Sequence, residues 1–95
     1  MRSEPENVPS ENVQEKYKLM NEYYLVLFND EINKYEFVVD CLIDICRHDP
    51  IQAEQCTLIA HHKGKCDIKN GSWPLLEEMK SAFDQRGLST IICKN

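Results

Sequence analysis

A strand and a turn follow one another in residues 23–33, YYLVLFNDEIN. The first six of these residues are apolar or aromatic, and the run has the length of a β-strand. The segment Asn29-Asp30-Glu31-Ile32-Asn33 then predicts a turn, because short Asn and Asp side chains compete for nearby backbone groups. The fold is therefore expected to begin with a strand that ends in an acidic turn.

Two helices are predicted after this turn. From Lys34 to about Arg47 the apolar residues recur at helical spacing, with a stripe of Phe37, Val38, Cys41, Leu42 and Ile45. A second helix is expected to begin at Asp49-Pro50-Ile51-Gln52, with Asp49 as the N-cap and Pro50 in the first helical position. It should end near Gly64, the residue type that most easily adopts a left-handed C-cap.

The rest of the chain predicts a strand, a helix and a strand. Residues 65–69 form a weak strand, and Asn70-Gly71 should form a turn. Ser72 can cap a third helix that ends at Gly87, and residues 88–93 form the last strand. The fold class is α+β, a three-stranded antiparallel sheet packed against three helices in the order β-α-α-β-α-β.

Length and composition exclude several classes of protein. Ninety-five residues fit one domain, with a polar, flexible tail at 1–22 and the domain at 23–95. The net charge of −5 argues against nucleic acid and anionic membrane partners and favours a cationic one. No apolar run reaches the roughly 20 residues of a membrane span, and residues 1–10 do not resemble a secretory signal. We therefore expect a cytoplasmic monomer with reduced cysteines and no cofactor.

The residues that could carry chemistry are the acidic turn and His61. A carboxylate, an amide oxygen and a neutral imidazole all accept hydrogen bonds, so Asn29, Asp30, Glu31 and His61 together would suit a ligand with several donors and a positive charge. An α-ammonium group is such a ligand. The alternatives are that the turn is simply solvated and that His61 is a core residue. A metal site is not expected, because the spacing of His61, His62 and Cys66 matches no usual zinc pattern.

Three segments of the chain form a recognisable pattern, YLVLFNDE at 24–31, EFVV at 36–39 and HHKGK at 61–65. Together they resemble the ClpS family, the adaptors of the bacterial Clp protease. The family pattern has an apolar strand, an Asn-Asp-Asp turn, a helix that opens with Met-Glu-Phe-Val, and a His pair that closes the next helix. The resemblance implies a ClpS-like fold that covers nearly everything after the tail.

The resemblance also implies a function and a set of site residues. ClpS adaptors bind N-degrons, substrates whose free first residue is a bulky hydrophobic one, and deliver them to an AAA+ unfoldase of the ClpA/ClpC type. The positions that bind the α-amino group match Asn29, Glu31 and His61, with Asp30 beside them. The positions that line the side-chain pocket match Leu27, Phe28, Asn33, Tyr35, Val38, Thr57 and Ala60, and Thr90 or Ile91 should close the pocket.

The chain departs from the family pattern inside the pocket. Glu31 replaces the second Asp, Tyr35 and Thr57 each replace a Met, Ala60 replaces a Val, and Phe28 is bulkier than the usual aliphatic residue. The pocket is therefore expected to be reshaped. Two other functions stay open: a small hydrolase that uses His61 with Asp30 or Glu31, and an interaction domain that keeps the fold without the pocket.

Overall fold

The structure is a computed structural model that describes residues 22–95. The predicted tail at 1–22 lies outside these residues except for Glu22, so the division of the chain into tail and domain stays a prediction. The elements are β1 (Tyr23–Phe28), α1 (Tyr35–Cys46), α2 (Pro50–Lys63), β2 (Lys65–Gly71), α3 (Trp73–Gln85) and β3 (Thr90–Lys94). Their order confirms the predicted β-α-α-β-α-β arrangement.

The sheet has β1 at its centre. Its strand order is β2-β1-β3, and both pairs are antiparallel, as predicted. One core joins the sheet to the helices, and its fully buried large side chains include Leu25 and Leu27 from β1, Leu42 from α1, and Leu76 and Phe83 from α3. Because β1 pairs on both sides and is buried at its centre, the position where it ends is firmly fixed.

Local signals set the ends of α2. The Asp49 carboxylate accepts a hydrogen bond from the backbone N–H of Gln52 at 2.8 Å, and Pro50 occupies the first turn. At the other end Gly64 has φ 93°, and its N–H donates to the carbonyl of Ala60. Both predicted boundaries of this helix are confirmed.

The predicted turn at Asn70-Gly71 is wrong. β2 continues through both residues, which pair with Tyr24 and Tyr23 of β1. Because β1 reaches back to Tyr23, the backbone of residues 70–71 finds a partner strand, and the turn tendency of the dipeptide is overridden. A Cβ atom on Gly71 would lie only 2.9 Å from a Leu75 methyl group, so the missing side chain lets α3 begin close to the strand. Ser72 lies at the N-cap of α3, but its side chain makes no capping bond.

The cysteines are free thiols throughout residues 22–95. Cys41, Cys46, Cys56 and Cys66 are buried, as small apolar residues would be. Burial raises the pKa of Cys46 and of Cys66 to about 12, so both thiols stay protonated at neutral pH.

A β-bulge interrupts the pairing of β1 with β2. Val26 pairs with Asp67 and Leu25 pairs with Lys69, so Ile68 has no partner residue in β1. His48, which follows α1, is buried, and its Nε2 lies 2.7 Å from the carbonyl oxygen of Ile68. Because a carbonyl can only accept, Nε2 carries the proton and donates to this oxygen. The imidazole therefore holds the bulged residue of β2 against the end of α1.

We expect His48→Ala to lower the free energy of unfolding by about 1–3 kcal/mol, because the buried Ile68 carbonyl would lose its donor. His48→Gln keeps an N–H donor and should lose less. Urea unfolding of the wild type and both variants measures the difference. Equal midpoints for the wild type and His48→Ala would show that this bond does not stabilise the fold.

Candidate functional site

A cavity of about 310 Å³ lies where β1 ends, between the loop at 29–34, the start of α1 and the second half of α2. Every residue that the sequence predicted for the α-amino site lines it, and so does every predicted pocket residue except Thr90. The lining residues are Leu27, Phe28, Asn29, Asp30, Glu31, Asn33, Tyr35, Val38, Thr57, Ala60 and His61. The structure thus brings the predicted residues together, and their role in binding stays a prediction.

The last strand does not line this cavity. Thr90 stands opposite Leu27 in the sheet and is buried, as Leu27 is, but it is not among the residues that line the cavity. Ile91, the alternative position, pairs with Val26 and faces solvent. The cavity wall is formed by β1, the loop at 29–34, α1 and α2, and the closing of the pocket by β3 stays a prediction.

One half of the cavity is apolar. Leu27, Val38 and Ala60 are buried residues whose remaining surface faces it. The Thr57 hydroxyl donates to the carbonyl of Ala53 at 2.8 Å, so this residue offers its methyl group to the cavity. Tyr35 crosses from α1 toward α2, and its hydroxyl donates a weak 3.4 Å hydrogen bond to the carbonyl of Glu54. This half suits an apolar side chain.

The other half is polar, and the Asp30 carboxylate is its most constrained group. One carboxylate oxygen accepts from the backbone N–H of Ile32 at 2.6 Å and from that of Asn33 at 3.2 Å. The second oxygen accepts from the Asn33 side-chain amide. The bond from the Ile32 N–H, followed by that from the Asn33 side chain, lowers the pKa of Asp30 below the ordinary aspartate value. Asp30 is thus an anion whose charge is held by its own loop.

The polar groups beside Asp30 are less engaged. Asn29 and Glu31 are exposed, and within residues 22–95 their side chains form no hydrogen bond with another protein group. His61 is also exposed, and its ring packs edge-on against His62 with the centroids 5.3 Å apart. An amide oxygen, a carboxylate and an imidazole therefore remain available to a ligand at one edge of the cavity.

A main-chain bond joins the two segments that carry these groups. The N–H of Asn29 donates to the carbonyl of Gly64 at 2.9 Å, and the N–H of Phe28 donates to the carbonyl of Ser89 at 3.0 Å. The first bond joins the end of β1 to the end of α2, which is where His61 lies. No sequence signal predicts this contact, because it joins distant segments through backbone atoms alone.

The Asp30 carboxyl is expected to titrate below the ordinary aspartate range, which a carbon-detected NMR titration can measure. Because its pKa is lower in the folded than in the unfolded protein, its bonds stabilise the loop fully above the unfolded-state pKa of about 4. That stabilisation is lost as the pH falls through the folded-state pKa, and the Ile32 and Asn33 amide signals should shift with it. A midpoint at or above that of a free aspartate would contradict this geometry.

The family assignment follows from comparison with known proteins. The family model described as "ATP-dependent Clp protease adaptor protein ClpS" matches residues 18–90. The chain belongs to the ClpS family. This confirms the resemblance seen in the three sequence segments.

Curated relatives agree with this assignment. The ClpS adapter of Pectobacterium carotovorum is 35% identical over 63 residues, which cover 66% of this chain and 59% of that protein. The ClpS adapter of Shewanella piezotolerans is 35% identical over 65 residues, covering 66% of this chain and 64% of that protein. The match thus spans about three fifths of the length of these relatives.

A solved structure shows the same fold. ClpS2 of Agrobacterium tumefaciens, determined bound to L-phenylalaninamide, superposes with a TM-score of 0.69 at 18% identity, covering 79% of this chain and 98% of that one. The ClpS-like fold is therefore confirmed. Across residues 22–95, no helix of this ClpS-family chain is both long and apolar enough to cross a membrane. Nor does that part of the chain gather three or more His, Cys, Asp or Glu side chains in a group that could hold a metal ion.

Proposed function

We propose that this chain binds the free, bulky hydrophobic N-terminal residue of other proteins and delivers them to the AAA+ unfoldase of a Clp protease. The observation that supports this most directly is the composition of the cavity lining. It combines apolar residues with acceptors from Asn29, Glu31 and His61 and with the anionic Asp30. The first residue of a protein has the matching halves, a side chain and an α-ammonium group, on one carbon atom.

The size of the cavity fits one side chain. Its volume of about 310 Å³ lies at the lower end of the range for small-molecule pockets, roughly 300–1,000 Å³. A cavity of this volume has room for a Leu or Phe side chain. The bound form of the structural relative supports this proposal, because L-phenylalaninamide carries a free α-amino group, an aromatic side chain and an amide in place of the next peptide bond.

Both halves are needed for useful affinity. Burying a Leu or Phe side chain contributes about 1.5–3 kcal/mol. Each hydrogen bond that involves a charged group contributes about 1.5–3 kcal/mol. A micromolar complex needs about 8 kcal/mol, so neither the pocket nor the ammonium site suffices alone. An acetyl cap would remove the charge and most of the donors, and it would therefore abolish recognition.

A binding role fits the cavity better than catalysis. The two hydroxyl groups on its wall, those of Thr57 and Tyr35, already donate to backbone carbonyls, and the lining includes no Ser or Cys nucleophile. The relatives are likewise named adapters. In this proposal the chain acts as a cytoplasmic monomer, the domain at 23–95 holds the cargo, and residues 1–22 contact a ClpA/ClpC-type unfoldase during transfer.

The central test changes the charge of Glu31 alone. We expect Glu31→Gln to weaken binding of a Phe-initiated peptide by about tenfold or more, because it removes one charge from the ammonium site while keeping the shape. Glu36→Gln, which changes an exposed glutamate of α1 outside the cavity, is the matched control and should bind as the wild type does. Fluorescence polarisation with labelled peptides gives the affinities.

The same titration with an N-acetylated peptide tests the proposal as a whole. The wild type should bind this peptide at least a hundredfold more weakly than the free one, the loss expected from about two charged hydrogen bonds. Equal affinity for the two peptides would refute recognition of the α-amino group.

Substitution tests the role of His61. We expect His61→Ala to weaken binding of the Phe-initiated peptide by about tenfold or more, because it removes one acceptor from a charged ligand. His62→Ala, which changes a neighbour outside the cavity lining, should bind as the wild type does. An unchanged affinity in His61→Ala would exclude His61 from the site.

A further inference from the structure

Asn33 joins two parts of the molecule that are far apart in sequence. Its side-chain amide nitrogen donates to the Asp30 carboxylate and to the carbonyl of Gly87 at 3.2 Å. An Asn side chain has two amide protons, so both are used in these bonds. Asn33 lines the cavity, but its donors are directed to the protein and not to a ligand.

The loop at 29–34 depends on such polar bonds for its conformation. Ile32, next to Asn33, is 90% exposed, so the only large apolar side chain of the loop packs against nothing. Glu31 is exposed as well. A loop without apolar contacts opens easily unless hydrogen bonds hold it. Besides the main-chain bonds from Asn29 to Gly64 and from Val38 to Lys34, the loop has the two backbone bonds to the Asp30 carboxylate and the two made by the Asn33 amide.

The turn that contains Gly87, whose carbonyl accepts from the Asn33 amide, is held in place by further contacts. Gly87 has φ 80°, its N–H donates to Asp84 at 3.0 Å, and the turn it forms closes α3. Arg86 in the same turn contacts the Asp44 carboxylate of α1 at 3.2 Å. The Gly87 carbonyl therefore has a defined position. Its bond with the Asn33 amide attaches the loop to the rest of the domain at a second place, in addition to the bond from Asn29 to Gly64.

We propose that Asn33 is a positioning residue: by clamping the Asp30 carboxylate to the turn after α3, it holds the loop so that Asn29 and Glu31 line the cavity together with His61. Asp30 then acts within the loop, and the direct contacts to an ammonium group fall to Asn29, Glu31 and His61. This assigns Asn33 a role different from the pocket wall that the family resemblance implies. The identity of the ligand rests on the proposed function; the clamp itself does not.

A double-mutant cycle separates the two roles of Asn33. Asn33→Ala should weaken binding of a Phe-initiated peptide about tenfold, as the loss of one hydrogen bond to a charged group does. In the Asp30→Ala background the same change should cost less than about twofold, since Asn33 acts through Asp30. Equal losses in both backgrounds would mean that Asn33 contacts the ligand directly, and they would overturn the proposal.

Two further variants serve as controls. One keeps the shape of the side chain at position 33, and the other removes an asparagine away from the cavity. Asn33→Asp keeps the shape of the side chain and replaces its donors by an acceptor beside Asp30, so it should weaken binding at least as much as Asn33→Ala. Asn70→Ala removes an exposed asparagine at the end of β2, away from the cavity, and should change nothing. Thermal unfolding of each variant confirms that the fold is kept. Wild-type affinity in Asn33→Asp would overturn the clamp.

A readout without peptide tests the clamp separately from the proposed function. In Asn33→Ala, the pKa of Asp30 should rise toward the ordinary aspartate value, and the Ile32 amide should exchange faster with solvent. If the wild type binds no peptide, the proposed function fails, while these two measurements still decide whether Asn33 holds the loop. An unchanged Asp30 titration would overturn the positioning role whatever the peptide result.

Discussion

The main-chain hydrogen bond from Asn29 to Gly64 joins the end of the central strand to the end of α2. β1 is fixed on both sides by its neighbours, and Gly64 is fixed by the left-handed turn that ends α2. The bond therefore connects two rigid elements at the one place where both stop. Asn29, Asp30, Glu31 and His61 all lie within three residues of this junction, so the relative position of the segments that carry them follows from backbone geometry.

The polar groups of the site fall into two kinds. The Asp30 carboxylate accepts three hydrogen bonds within the protein, both amide protons of Asn33 are used in such bonds, and these bonds give the loop its shape. Asn29, Glu31 and His61 keep unused acceptors, and they give the site its chemistry. This separation matters because a group that must both fold the loop and bind a ligand would have to break one bond to form the other. A preorganised site avoids that rearrangement when the ligand binds.

Much of the fold could be predicted because its signals are local. Asp49-Pro50 and Gly64 mark the ends of α2 through caps that involve only neighbouring residues, and apolar spacing revealed the other helices. The features that were predicted wrongly or not at all depend on contacts between distant parts of the chain. Asn70-Gly71 has the local character of a turn, yet it finds a partner in β1. The bond of Asn33 to Gly87 and that of His48 to Ile68 also depend on contacts between distant segments.

The candidate site shows the same limit. The residues themselves suggested only that Asn29, Glu31 and His61 could meet around a cation, and the family pattern supplied the pocket wall. The family pattern in turn could not decide whether a residue of β3 lines the cavity, because that depends on how the strand packs in the whole fold and not on a short motif.

The bulge in β2 has a consequence for how this molecule meets others. β2 lies at an edge of the sheet, where unpaired backbone groups could template a strand from another chain. The extra residue at Ile68 breaks the regular spacing of donors and acceptors along that edge, and His48 fixes the break in place. An incoming strand would leave groups unpaired there. The bulge therefore protects this edge against aggregation through strand pairing.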